Sequence, residues 1–126
     1  MMAAGRRKWK ILRAMSRHNA ALSPGQAAPL FAALGDETRL ALVARLGSSG
    51  PLSIARLTDE TKVTRQAITK HLEVLARAGL VRDERQGRER LWAVEGEKLE
   101  EARRYLDQIG KQWDDALGRL AAFVDE

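Results

Sequence analysis

No cysteine occurs anywhere in the 126 residues, which excludes disulfides, thiolate metal sites, iron–sulfur clusters and cysteine catalysis. A chain without thiols also suits a reducing compartment. Histidine is nearly as scarce: His18 and His71 lie far apart, without the spacing of a ligand pair. With three Trp, two Phe and one Tyr, the stacking platforms that single-stranded RNA needs are in short supply. No apolar run approaches the ~18 residues of a membrane span. No signal-peptide core follows the basic N-terminus, so a soluble cytoplasmic protein is expected. There is no Gly-rich phosphate loop of the Walker or dinucleotide type. The acidic pairs Glu100-Glu101 and Asp114-Asp115 fit a solvated helix face better than an acid–base pair. The expectation is no enzyme, no cofactor and no bound metal.

Charge and apolar content are both ample, at 31% and 44%. The length suits one compact domain with an extension, burying roughly two-thirds of its unfolded surface. Charge is placed unevenly. Met1 to Gly35 holds six bases and no acid, Asp36 to Val94 eleven bases and eight acids, and Glu95 to Glu126 five bases and nine acids. A basic front and middle with an acidic tail suit a polyanion partner for the former.

Three parts follow: a basic extension over 1–24, a central domain over 25–94 and a last helix over 95–126. Within Gly5 to Ala21, Trp9, Leu12 and Met15 sit at helical spacing among the bases. The segment reads as a flexible arm on phosphates, as a helix packed on the domain, or as a leader to a true start at Met15. Membrane-surface binding is a smaller possibility. Ser23-Pro24-Gly25 breaks the chain before the domain. Helices are predicted over Gln26 to Leu34 and Asp36 to Leu46, the second capped by Asp36 and burying Leu40, Val43 and Leu46 with Leu42 alongside. Ser53 caps a short helix with Ile54 and Leu57 inward. After a turn at Thr61-Lys62-Val63, Thr64 caps a longer helix that buries Ile68, Leu72 and Leu75 and ends at Gly79. Two charge-laced strands, Leu80 to Arg85 and Glu89 to Val94, flank the turn residues Gln86-Gly87-Arg88. The fold class is therefore mainly α with a small β-hairpin wing, a winged helix-turn-helix.

The last segment repeats every seven residues: Leu99, Leu106, Trp113 and Leu120 on one position, and Ala102, Ile109, Ala116 and Phe123 on its companion. Such a stripe either covers the domain's own core or pairs with another helix. At ~1.5 Å per residue the helix outruns a small domain, so part of the stripe is expected to pair with a second copy. Gly110 is a place where the helix could bend or divide.

Thr64-Arg65-Gln66-Ala67-Ile68-Thr69-Lys70-His71-Leu72, followed by Leu75 and Ala78-Gly79-Leu80-Val81, resembles the recognition-helix signature of the ArsR/SmtB family. Phe31-Ala32-Ala33-Leu34-Gly35-Asp36 with Thr38-Arg39-Leu40 resembles that family's first two helices, and Gln86-Gly87-Arg88-Glu89-Arg90 its wing. The resemblance covers about Pro29 to Val94, plus a final helix of the expected kind. It implies a homodimeric repressor, joined by its first and last helices, whose recognition helices enter major grooves ~34 Å apart on a two-fold symmetric operator. The metal-sensing branch carries Cys-x-Cys in the short helix, where this chain has Ser53 and Ala55, and no His follows His71. The chain therefore resembles the metal-independent branch. Lys62 stands where the family often has Gly, at a modest cost if its φ must be positive.

In that frame Arg65 and Gln66 are the foremost base-reading candidates, since Arg bridges guanine O6/N7 and Gln bridges adenine N6/N7. Thr69 joins them as a weaker third. Thr64, Lys62 and Lys70 are assigned to phosphate, and Arg88 and Arg90 to phosphate or the minor groove through the wing. Arg85 stands between wing contact and pairing with nearby acids. His71 reads as a satisfied, partly buried side chain or a phosphate contact, and Trp92 as hairpin packing. The rival function is a protein-interaction module whose groove face is idle, because a winged fold does not settle function. RNA binding ranks third.

Overall fold

The computed structural model describes residues 22–124, and the readings offered for the basic segment before Leu22 lie outside them. Five helices and three strands follow in order: α1 Pro24–Leu34, α2 Glu37–Ser49, β1 Leu52–Ser53, α3 Ile54–Asp59, α4 Arg65–Arg77, β2 Val81–Gln86, β3 Glu89–Val94 and α5 Gly96–Val124.

Ser23-Pro24-Gly25 starts a helix instead of breaking the chain. The Ser23 hydroxyl accepts from Gln26 N at 3.2 Å while the Gln26 side chain accepts from Ser23 N at 3.0 Å, a reciprocal capping box. Pro24 occupies the first turn, where its missing N–H costs nothing. Asp36 caps α2 as expected, its Oδ2 accepting from Arg39 N at 3.0 Å. The buried stripe of α2 differs from the expected one. Leu42 and Leu46, four apart, are the buried residues, and Val43 is half-buried. Leu40 is 52% exposed. At 3.6 residues per turn Leu40 lies roughly 120° round the helix from Leu46, so a three-residue spacing drifts off the inward face.

Ser53 caps α3, accepting from Arg56 N at 3.3 Å, and Thr64 caps α4, accepting from Ala67 N at 3.2 Å. Between them the turn runs without strain. Among the described residues no non-glycine has positive φ, so Lys62 pays no left-handed penalty. Ile68, Leu72 and Leu75 of α4 are buried with Leu42, Leu46, Leu57, Leu80 and Trp92 in one core. The helix ends in a Schellman arrangement: Gly79 takes φ +79 and Leu80 N donates to Leu75 O at 2.9 Å.

β2 and β3 pair antiparallel from Val81↔Val94 to Gln86↔Glu89, leaving Gly87 and Arg88 as a two-residue turn. Gly87 has φ +64, and a lone positive φ at the first central residue is the type II′ pattern that suits the right-handed twist of a hairpin. A third strand joins them. Leu52↔Trp92 and Ser53↔Leu91 pair β1 with β3, giving the order β1-β3-β2, so the wing is rooted in the helix-turn-helix itself.

α5 runs for 29 residues through Gly110 without interruption. Its first turns lie on the core: Leu99 packs against it and Ala102 is 4% exposed. Phe31 of α1 meets Tyr105 with ring centroids 5.9 Å apart. Beyond Tyr105 the helix leaves the domain.

Candidate nucleic-acid interface

One face of α4 is given to the core and the other to solvent. Because Ile68, Leu72 and Leu75 define the inner side, Arg65, Gln66 and Lys70 fall on the outer one, and all three are exposed. Arg65 and Gln66 occupy the first turn, next to the capping Thr64. There the helix dipole is positive and favours a phosphate nearby. Among the described residues the side chains of Arg65, Gln66, Lys70 and the neighbouring Lys62 make no hydrogen bond or ion pair. Four polar side chains, three of them cations, thus project together from the helix and the turn before it.

Two neighbours are less available. Thr64 spends its oxygen on the cap. Thr69 is half-buried and its hydroxyl donates to Arg65 O at 2.9 Å, leaving only an acceptor for a base edge. His71 points inward, its Nδ1 lying 3.3 Å from Arg39 Nη1 and 3.8 Å from Asp36 Oδ2. It is the paired, partly buried side chain.

The wing divides its arginines. Arg88 sits at the exposed tip beside Gly87, and Arg85 is exposed on β2. Neither side chain makes a hydrogen bond or ion pair among the described residues. Arg90 does: its Nε donates to Asp83 Oδ2 at 2.8 Å and its guanidinium lies 4.7 Å from the centre of the Trp92 ring. Strand geometry explains this, since Asp83 pairs with Trp92, and Arg90, two residues before Trp92 on the same face of β3, reaches Trp92 along the strand and Asp83 diagonally across it. Arg90 belongs to the hairpin, and Arg85 is unpaired despite the acids around it. Arg82 is tied to Glu95 by a short ion pair and to Glu84 at 3.7 Å, and the Glu95 hydrogen bond raises its pKa above the ordinary arginine value.

The apolar face of α5 also splits. Ala102 is covered by the chain's own core, and Leu99 packs partly buried against it. From the second heptad onward the face is open: Leu106, Trp113, Leu120 and Phe123 are exposed, Trp113 at 64% and Phe123 at 76%. Ile109 and Ala116 are half-buried beside them. Leu117 and Val124 are exposed as well and extend the stripe. Leu117 stands four residues after Trp113, a spacing that the strict heptad count passes over.

The helix-turn-helix domain family matches residues 34–84, from the end of α1 through α4 into β2. The HTH-type transcriptional regulator Rv2034 of Mycobacterium tuberculosis is 38% identical over 93 residues, covering 74% of this chain and 83% of that protein. The arsenical resistance operon repressor of Escherichia coli is 37% identical over 59 residues, covering 47% of this chain and 50% of that one. Among solved structures, an ArsR-like transcriptional regulator from Rhodococcus sp. RHA1 superposes with a TM-score of 0.67 at 38% identity, covering 76% of this chain and 90% of that one. These relatives are regulators and not enzymes. The capped α3 and α4, the wing rooted on β1 and the similarity running through all of them place this cysteine-less chain in the ArsR family of winged helix-turn-helix, DNA-binding transcriptional regulators.

Proposed function

We propose that this chain is a cytoplasmic, homodimeric repressor that binds a two-fold symmetric operator without sensing a metal. The observation that carries it is the outer face of α4, where Arg65, Gln66 and Lys70 stand exposed with no partner among the described residues. Two of these residue types make bidentate contacts to purine edges in the major groove. Lys62 before the helix and Arg88 at the wing tip supply cations at its flanks, suited to phosphate. Arg85 is added to the wing contacts, and Arg90 contributes mainly by shaping the hairpin. Dimerisation is supported by the open apolar face of α5 from Leu106 to Phe123, a seam too extended to be left in water. Repression is supported by the relative from Escherichia coli, a repressor by name. The metal-independent reading rests on the donor set: the sequence has no thiolate, and the one His after residue 18 is His71, whose Nδ1 faces Arg39.

The experiment is fluorescence anisotropy with the DNA upstream of the chain's own coding sequence and with a scrambled duplex, at two salt concentrations. A preference of ~10³ or more for the upstream duplex, lost in Arg65→Ala/Gln66→Ala, establishes sequence-specific binding. Equal, weak and salt-sensitive binding to both, unmoved by that variant, returns the weight to the interaction module.

A further inference from the structure

Arg39 carries more contacts than a surface arginine of α2 needs. Its Nε donates to Ala33 O, Nη2 donates to Ala32 O at 3.4 Å, and Nη1 lies 3.3 Å from His71 Nδ1. Ala32 and Ala33 belong to the last turn of α1, whose carbonyls lack partners within the helix, although Ala32 O also accepts from the capping Gly35 N at 3.2 Å. A guanidinium only donates, so in this contact Nδ1 of His71 is the acceptor. Asp36 completes the cluster. Its Oδ2 accepts from Arg39 N at 3.0 Å and lies 3.8 Å from the same Nδ1. Three elements meet at one guanidinium: the end of α1, the start of α2 and the middle of α4.

The placement bears on DNA. His71 follows Lys70 directly and lies six residues, roughly 9 Å of helix rise, from Arg65. It is the polar residue by which the inner side of α4 is gripped, since the other inward residues, Ile68, Leu72 and Leu75, make apolar packing that tolerates small sliding. At the far end of the grip, α1 packs on α5 through Phe31 and Tyr105. The angle of α4 is thus fixed relative to the layer that holds the long helix. We propose that Arg39 is a positioning residue for operator binding, setting the orientation of α4 through His71 while itself contacting no DNA. This rests on the reading of α4 as the base-reading helix.

The test is a double-mutant cycle in the full chain, read by anisotropy with the duplex that the wild type prefers and with a scrambled duplex over a series of salt concentrations. Arg39→Ala and His71→Leu each weaken the preferred duplex about tenfold, the scale of a lost charge-assisted hydrogen bond. Together they lose no more than either alone, because the influence of Arg39 on α4 runs through the contact they share. The salt slope stays at the wild-type value, since no phosphate contact is removed. His71→Gln keeps an acceptor and recovers most of the affinity. Arg39→Lys does not, because one ammonium cannot span three acceptors.

Unchanged affinity overturns the proposal, and so do losses that add. A salt slope reduced by about one makes the residue a phosphate contact and overturns it too. If Arg39→Ala is unfolded at the assay temperature, the His71 pair decides: equal affinity in His71→Leu and His71→Gln refutes the grip. Arg65→Ala/Gln66→Ala is measured beside them. If that variant binds like the wild type, the assignment of α4 fails. If it loses binding while the Arg39 series does not, only the positioning role fails.

Discussion

Arg90 stacks on Trp92 and donates to Asp83 in the same pose, which removes it from the wing's free charge and leaves Arg88 at the tip. Arg90→Ala is expected to destabilise the fold by about 1 kcal/mol, an exposed cation–π contact plus a surface ion pair. Arg88→Ala is expected to leave the urea midpoint unchanged and to lower the salt slope of DNA binding by about one. The reverse assignment, with Arg90 carrying the slope, would put Arg90 on phosphate.

Trp92 is 2% exposed and its Nε1–H is buried without a partner among the described residues. A buried donor left unpaired costs roughly 1–3 kcal/mol, which offsets part of what the ring gains by packing. Trp92→Phe is therefore expected to cost under about 1.5 kcal/mol, the range of a tolerated hydrophobic swap. Trp92→Ala should cost about 3–5 kcal/mol. Denaturant melts of the two variants make the comparison, and a Phe variant as damaged as Ala would mean that the indole N–H is satisfied.

The apolar face of α5 changes allegiance along its length, and charge substitution reads the boundary. Trp113→Glu and Leu120→Glu are expected to give a folded monomer in sedimentation, with unchanged helical circular dichroism and weaker binding to a two-fold duplex. Ala102→Glu is expected to unfold the domain instead, since it puts a carboxylate among Leu30, Leu72 and the rest of the core. A monomeric but folded Ala102→Glu would place that residue in the seam after all.

The Arg39 amide donating to its side chain holds the Asp36 carboxyl below the usual carboxylate range, against the cost of desolvation and with the Arg39 charge adding to the effect. A lowered folded pKa means that this contribution to stability is fully present above the unfolded value of about 3.9 and is lost as pH falls through the folded one. Asp36→Asn should be less stable than the wild type at neutral pH, with the gap closing on acidification below about pH 4. A gap that is constant with pH would show that the carboxylate charge is irrelevant to the cap.

Local chemistry made much of this chain legible from its residues. Asp36, Ser53 and Thr64 were recognisable as caps because a short acceptor side chain before an apolar run has few other uses. Ile68, Leu72 and Leu75 were recognisable as an inner face because three leucine-type residues at i, i+4 and i+7 can share no other side. Long-range matters were not legible. A two-residue strand such as β1 has no periodicity, and its pairing with β3 depends on residues forty positions away. Leu40 and Ala102 each fit a spacing rule, but only the packed neighbours decide whether that side is covered. Arg90 and Arg85 look alike in sequence, and the register of the hairpin alone separates them. The contacts of Arg39 were not legible for the same reason: its partner is His71, 32 residues later.

Ser53 holds two offices at once, as the last residue of β1 opposite Leu91 and as the cap of α3. A slip of the wing's register would therefore uncap the first helix of the helix-turn-helix, and a fraying α3 would release the edge of the sheet. The reading head is for that reason not a separable cassette. The stretch from Ile54 to Arg77 lacks the strand that seats its own first residue, and it should acquire order only when β3 has been synthesised and can close back on it.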